Sequence, residues 1–222
     1  MIKGIVMDMD GTITKFNLDY MGARRLALEE LEKLNLRTPE MTEQLSLYLI
    51  LMNLKNNLSK DAFTKIRKTF YDLLERMEIE AAQEVVLLPG AVETLKKLRG
   101  EGLKIGLVTN NGRAGTQITL KRYDLRGFFD SVVTRDDCEE MKPDGGPVRK
   151  VLADMRVPPE EAILVGDGVM DVIAARAVGL PAAAVTTGPF ANDRLLAVEP
   201  DYLLGSVNDL PFLIEQLNSS KL

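Results

Sequence analysis

Residues 3–12 read KGIVMDMDGT, a short apolar run followed at once by two aspartates, a glycine and a threonine. The apolar run has the length of one buried strand rather than that of a core helix. In an open α/β sheet, ligands bind beyond the carboxyl ends of the strands. Asp8 and Asp10 follow the run directly, so this stretch predicts both the first strand of the fold and one part of a site.

Similar apolar runs recur along the chain and alternate with helical segments. We predict strands at Gly4–Met7, Lys104–Val108, Ser131–Val133, Ala162–Val165, Ala182–Val185 and Tyr202–Leu204, and helices near 90–99, 113–124, 145–155, 169–178 and 208–217. Apolar strands separated by helices indicate a parallel sheet that is covered on both faces. The predicted fold class is therefore α/β, a doubly wound, Rossmann-like parallel sheet.

Residues 15–87 interrupt this alternation, because they carry helical periodicity and no convincing strand. The apolar positions with that spacing are Leu45, Tyr48, Leu49 and Met52, followed by Phe63, Ile66, Phe70, Leu73, Leu74 and Met77. Thr38 and Ser59 are candidate N-cap residues of two of these helices. We predict a core domain of residues 1–14 and 88–222, with a helical cap domain inserted at 15–87 and acting as a lid.

Composition and charge exclude several classes of protein. The 222 residues carry a formal net charge of −5, without the basic surface expected of a nucleic-acid-binding protein, and no apolar stretch reaches the length of a membrane span. The absence of histidine excludes a phosphohistidine, a Ser-His-Asp triad and a histidine zinc site. The single cysteine, Cys138, fits a reducing compartment. We expect a cytoplasmic protein with no nucleic-acid or membrane partner; the sequence does not indicate its oligomeric state.

Side chains with possible chemical roles follow four of the predicted strands. They are Asp8 and Asp10 after the first, Thr109 and Asn110 after the second, Lys142 beyond the third, and Asp167 and Asp171 after the fourth. Each signal alone is common at strand ends, but the four in this order predict one site. Carboxylates, a hydroxyl and a lysine are the groups that aspartyl-phosphate chemistry with a hard cation requires.

The four motifs of the haloacid dehalogenase superfamily resemble four stretches of this chain, in the same order. These are Asp8-Met9-Asp10-Gly11-Thr12, Thr109-Asn110-Asn111, Lys142-Pro143 and Gly166-Asp167-Gly168-Val169-Met170-Asp171. The resemblance covers the whole chain, and its layout is most similar to the phosphoglycolate phosphatase-like branch with a helical cap.

The resemblance implies a role for each matching residue. Asp8 is expected to be the nucleophile, and Asp10 the acid and then the base. Thr109, the Asn110 amide and Lys142 are expected to bind the phosphate. Asp8, the main-chain carbonyl of Asp10 and Asp167 are expected to hold Mg²⁺, with Asp171 supporting that shell.

The expected function is Mg²⁺-dependent hydrolysis of a small phosphorylated metabolite through a phospho-aspartate on Asp8. A sugar phosphomutase shares all four motifs and stays an alternative. A non-enzymatic phospho-aspartate switch is a second alternative, although such receiver domains are shorter and lack the helical insertion. Arg24 and Arg25 are candidate ligands for a substrate carboxylate or second phosphate, because guanidinium groups suit planar anions. An exposed basic turn is the commoner role for such a pair.

Overall fold

The computed structural model describes residues 1–189 and 192–219, and within them it contains one six-stranded sheet. The strands are β1 (Gly4–Met7), β2 (Lys104–Val108), β3 (Ser131–Val133), β4 (Ala162–Gly166), β5 (Ala182–Val185) and β6 (Tyr202–Leu204). Every neighbouring pair is parallel, in the order β3-β2-β1-β4-β5-β6. The predicted doubly wound α/β fold is confirmed.

Strand β1 lies at the centre of the sheet, and its side chains explain why. All four of its residues are buried, and consecutive side chains point to opposite faces. Ile5 belongs to one apolar cluster together with Ile105 and Ile163. Val6 belongs to a second cluster, which contains Val108 and Leu164. A strand that is apolar on both faces is stable only with helices packed on each side.

Nine α-helices occur within the described ranges. They are α1 (Tyr20–Lys33), α2 (Leu47–Asn57), α3 (Lys60–Glu84), α4 (Ala91–Gly100), α5 (Arg113–Arg122), α6 (Gly146–Met155), α7 (Val169–Arg176), α8 (Asn192–Leu196) and α9 (Leu210–Ser219). Helix α8 was not predicted, because its five residues are too few to show a helical period. No helix in the described part of the chain is long and apolar enough to span a bilayer.

The chain divides into two compact units, Met1–Asn17 with Ala82–Leu222, and Leu18–Ala81. The first contains the sheet. In the second, side chains at the helix starts accept backbone N–H groups: Asp19 accepts from Gly22, and Ser46 from Leu49. Ser59 caps α3 as predicted, since its Oγ accepts the N–H of Ala62 at 3.3 Å.

Two predicted details within residues 15–87 are wrong. Thr38 caps no helix, because residues 38–41 form a turn that closes with a Met41 N to Thr38 O bond. Helix α2 buries a different face from the predicted one, and Leu49 is 48% exposed. The buried face consists of Leu47, Ile50, Leu51 and Leu54. Residues 45–54 are apolar on almost every side, so periodicity could not select the face.

Within the first unit, the two segments that lead towards residues 18 and 81 are paired with each other. Lys15 N donates to Val86 O at 2.7 Å, and Leu88 N donates to Ile13 O at 2.9 Å. The hydroxyl of Tyr123 donates to Val85 O at 2.6 Å. These bonds hold both connections beside the loop that follows β1.

Candidate active site

The loop after β1 turns sharply and carries both aspartates of the first motif. Asp8 N donates to Val165 O, which continues the pairing with β4, and Asp8 is 8% exposed. The turn needs glycine at position 11, where φ is +81°. A Cβ at Gly11 would also lie 2.3 Å from Oδ2 of Asp167. The loop after β1 therefore lies tightly against the loop after β4.

Lys142 is a buried cation that joins two of the predicted site carboxylates. Its Nζ lies 2.5 Å from Asp8 Oδ1 and 2.6 Å from Asp171 Oδ1, and it donates to Val108 O at 2.9 Å. Lys142 is only 3% exposed. An ammonium buried to this extent is stable only when it is paired and hydrogen-bonded. The ionic contacts therefore fix Lys142 between the end of β1 and the first turn of α7.

Burial and charge shift the pKa values of this pair upwards. Burial, partly offset by Lys142, raises the pKa of Asp8 to about 7. Burial alone would lower the pKa of Lys142, but Asp171 and Asp8 outweigh it and hold that pKa above its usual range. The lysine is therefore a permanent positive charge beside a carboxylate that needs compensation to remain ionised.

Asp167 completes a cluster of three buried carboxylates with Asp8 and Asp171. One ligand oxygen from each lies within 4.8 Å of the others. Burial, with the charges of Asp8 and Asp171, raises the pKa of Asp167 to about 9. Its Oδ2 is buried without a hydrogen-bond partner, an arrangement that is costly in a dry site.

This cluster fits a hard divalent cation. With all three carboxylates ionised and Lys142 protonated, the net charge of the group would be −3 + 1 = −2, which a bound divalent cation would neutralise. Glycines surround the orphaned oxygen of Asp167: a Cβ at Gly188 would lie 1.9 Å from it, and one at Gly11 2.3 Å. Oxygen donors without histidine or thiol are the ligands that Mg²⁺ prefers.

The loop after β2 carries Thr109 and Asn110. Thr109 is 4% exposed, and its Oγ1 accepts the N–H of Asn111 at 3.1 Å. The side chain of Asn110 donates to Lys142 O at 2.9 Å and accepts from Lys142 N at 3.0 Å. This two-point contact fixes the backbone of the lysine. The Asn110 side chain therefore supports Lys142, in addition to its predicted role in binding phosphate.

Three further residues surround the site and were not predicted. Thr14 and Asn111 donate to the two carboxylate oxygens of Asp10, at 2.8 and 2.5 Å. Thr187, after β5, donates to Gly11 O at 2.5 Å. Asn111 belongs to the motif Thr109-Asn110-Asn111, so its place after the second strand could have indicated a site residue. Thr187 carries no signal in the sequence.

The two arginines lie outside this set of contacts. Arg24 and Arg25 belong to α1 in the second unit, where Arg24 Nη1 donates to Glu43 O at 3.2 Å and Arg25 is exposed. Their proposed contact with substrate stays a prediction.

The assembled groups are suited to phosphoryl transfer. A carboxylate beside a fixed ammonium can act as a nucleophile, and a second carboxylate held by two donors can move protons. The remaining carboxylates can hold a cation that offsets the charge of an incoming phosphate.

The sequence of this chain is similar to those of known proteins. A family model described as haloacid dehalogenase-like hydrolase matches residues 5–185. Pyrophosphatase PpaX of Bacillus cereus (strain B4264) is 29% identical over 227 residues, covering 99% of each chain.

Solved structures share the fold. A protein from Lactobacillus plantarum assigned as a phosphoglycolate phosphatase superimposes with a TM-score of 0.67 at 20% identity, covering 96% of this chain and 100% of that one. A protein from Thermotoga maritima assigned as a β-phosphoglucomutase gives 0.63 at 22% identity, covering 97% and 99%.

Proposed function

The chain belongs to the haloacid dehalogenase-like hydrolase family, and on that premise we propose that it is a Mg²⁺-dependent phosphatase. It would hydrolyse a small phosphorylated metabolite through a phospho-aspartate on Asp8. The observation that carries this proposal is the buried contact of Lys142 with Asp8 and Asp171, beside the unpartnered oxygen of Asp167.

The reaction would proceed in two steps, transfer of the phosphoryl group to Asp8 and hydrolysis of the resulting acyl phosphate. In the first, a carboxylate oxygen of Asp8 forms a bond to phosphorus while the bond from phosphorus to the leaving oxygen breaks. Asp10 gives its proton to that oxygen. In the second, Asp10 takes a proton from water, whose oxygen attacks the phosphorus of the acyl phosphate. Phosphate leaves, and the Asp8 carboxylate is restored.

Asp8, the main-chain carbonyl of Asp10 and Asp167 would hold Mg²⁺, with Asp171 supporting them. When bound, the ion would offset the repulsion between a carboxylate and a phosphate, which amounts to about 4 kcal/mol per charge pair at 4 Å in an effective dielectric near 20. Lys142 would add a fixed positive charge next to the nucleophile. Thr109, Asn110 and Lys142 would bind or position the phosphate as charge develops on its oxygens.

We assign the second unit, Leu18–Ala81, the role of a cap that selects the leaving group. Its two connections to the first unit are paired side by side, which is the arrangement expected at a hinge. Arg24 and Arg25 on α1 are candidates for recognising an anionic group of the substrate. The predicted cap boundaries at residues 15 and 87, the cytoplasmic location and the absence of nucleic-acid partners stay predictions.

Two substrate classes deserve direct comparison. The motif layout favours a phosphate monoester such as phosphoglycolate. The full-length similarity to pyrophosphatase PpaX favours pyrophosphate, whose phosphate leaving group needs little protonation. A sugar phosphomutase stays an alternative, since one fold hosts several of these activities.

A substrate panel tests the proposal. The purified protein would be assayed for phosphate release from pyrophosphate, phosphoglycolate, hexose phosphates and nitrophenyl phosphate, with Mg²⁺ or with excess chelator. We expect Mg²⁺-dependent release and a clear preference for one class. Turnover of β-glucose 1-phosphate to glucose 6-phosphate without net phosphate release would favour the phosphomutase. Activity that survives the chelator would contradict the metal-dependent proposal.

A further inference from the structure

The carboxylate of Asp10 is held between donors from two different loops. Thr14 Oγ1 lies 2.8 Å from Oδ1, and Asn111 Nδ2 lies 2.5 Å from Oδ2. Thr14 belongs to the same loop as Asp10, whereas Asn111 follows β2 and is separated from Asp10 by 101 positions. Because each donor engages a different oxygen, together they fix the rotation of the carboxylate plane as well as its place.

Asn111 is itself fixed by the backbone around it. Its N–H donates to Thr109 Oγ1 at 3.1 Å, and its carbonyl accepts the N–H of Arg135 at 3.0 Å. The guanidinium of Arg135 donates through Nη1 to Asn110 O at 3.0 Å, and Arg135 is only 3% exposed. A buried arginine from the loop after β3 therefore supports the loop that presents Asn111.

We propose that Asn111 is a positioning residue that aligns Asp10 for its proton transfers. The proposal rests on the proposed function, in which Asp10 protonates the leaving group and later deprotonates water. Proton transfer requires heavy atoms about 2.6–3.2 Å apart. An error of about 1 Å in the position of a catalytic group can cost roughly a hundredfold in rate.

Asn111→Ala would remove one of the two donors and leave the nucleophile Asp8 unchanged. The two steps of the reaction make a specific pattern testable. The ratio kcat/KM reports the first step alone, in which the leaving group departs. Nitrophenolate departs without protonation, so its kcat/KM should not change. The alkyl phosphate with the highest kcat/KM in the panel should lose about tenfold to hundredfold in that ratio, because its leaving oxygen needs the proton.

A second signature should appear with nitrophenyl phosphate alone. Slower deprotonation of water lowers kcat, so kcat and KM should fall together while their ratio stays constant. A general disturbance of the site would instead lower kcat/KM for both substrates. The split between kcat and KM therefore separates a positioning role from a merely structural one.

Two further variants keep the test independent of the folding of Asn111→Ala. Thr14→Val has nearly the same shape and removes the other donor to Asp10, so it should give the same dependence on leaving group. Asn111→Asp keeps the size of the side chain but places a carboxylate beside Asp10, and we expect a larger loss with the alkyl phosphate. Gln117→Ala, which removes an exposed amide from α5, should match the wild type.

Circular dichroism and thermal unfolding would verify that each variant is folded. Equal loss of kcat/KM on both substrates, or no loss on either, would overturn the role of Asn111 while wild-type phosphate release still supported the proposed function. A wild-type protein that releases no phosphate from any compound of the panel would overturn the proposed function and this inference with it.

Discussion

The buried aspartates give the metal-free protein a definite dependence on pH. The pKa values of Asp8 and Asp167 rise from 3.8 to about 7 and about 9 in the folded protein. Between about pH 4 and pH 9, the folded state therefore binds more protons than the unfolded state. The free energy of unfolding of the metal-free protein should therefore decrease as the pH rises from about 4 through 7 to 9.

Magnesium should reverse this loss, because it binds the ionised carboxylates. We expect the increase in Tm on adding Mg²⁺ to be larger at about pH 8.5 than at about pH 5.5, by about 3 °C or more. Thermal unfolding at both pH values, with Mg²⁺ or with chelator, would measure this increase in Tm. Asp167→Asn, which cannot ionise, should stabilise the metal-free protein at high pH and lose most of the increase. An increase that is equal at both pH values would contradict this account.

Gly188 provides a second test at the scale of single residues. A Cβ at this position would lie 1.9 Å from Oδ2 of Asp167, so Gly188→Ala must displace that carboxylate. We expect the Mg²⁺ concentration for half-maximal activity to rise by about 10–100-fold. The matched control is Gly127→Ala, where nothing lies within 4 Å of the new Cβ. Equal magnesium requirements in the two variants would argue against Asp167 as a ligand.

At the scale of elements, the sheet was predictable because its strands are buried on both faces. Runs such as Ile105–Val108 and Ala162–Val165 contain almost no polar residue, and both lie in strands of the structure. The buried face of helix α3 was also predictable, since the predicted apolar positions Ile66, Phe70 and Leu74 are buried. Such patterns predict structure only when one face or one short run is clearly more apolar than the residues around it.

The elements that were not predicted correctly lack this difference between apolar and polar positions. Residues 45–54 are apolar on most sides, so the buried face of α2 was decided by packing that the sequence does not encode locally. Helix α8 is too short for a period. The identity of the candidate site residues could be read from their places after strands, because parallel strands end at one edge.

Their mutual contacts could not be predicted in the same way. The bond between Asn111 and Asp10 and the support from Arg135 join residues that are distant in sequence. These contacts depend on how far each of the strands β1, β2 and β3 extends along the strand direction before its loop begins. Asn110 likewise turned out to hold the backbone of Lys142, which no spacing indicates.

At the scale of the whole molecule, the chain divides into two compact units, and the proposed cap function of Leu18–Ala81 can be tested by removing that unit. Lys15 and Val86 are hydrogen-bonded to each other within the first unit. Replacing residues 18–81 by a short glycine-serine linker should therefore leave a folded core. We expect this core to keep a Mg²⁺-dependent increase in Tm and some hydrolysis of nitrophenyl phosphate. If residues 18–81 select the leaving group, as we propose, the discrimination of this core among the natural phosphates should collapse.

The ratios of kcat/KM across the substrate panel measure that discrimination. The full-length protein is the reference, and Mg²⁺-dependent thermal unfolding of the shortened protein verifies that its core is intact. A folded core that kept the substrate ranking of the full-length protein would show that residues 18–81 have no part in selection.

The central claim is that phosphate passes through a covalent bond to Asp8. It is tested most directly by acid quench of the protein during turnover, followed by mass spectrometry of the peptide that contains residues 3–12. We predict one added phosphoryl group on Asp8, present with Mg²⁺ and substrate and absent with chelator. Asp8→Asn should carry none and should release no phosphate above background. Undiminished phosphate release by Asp8→Asn, with deamidation excluded, would contradict the claim.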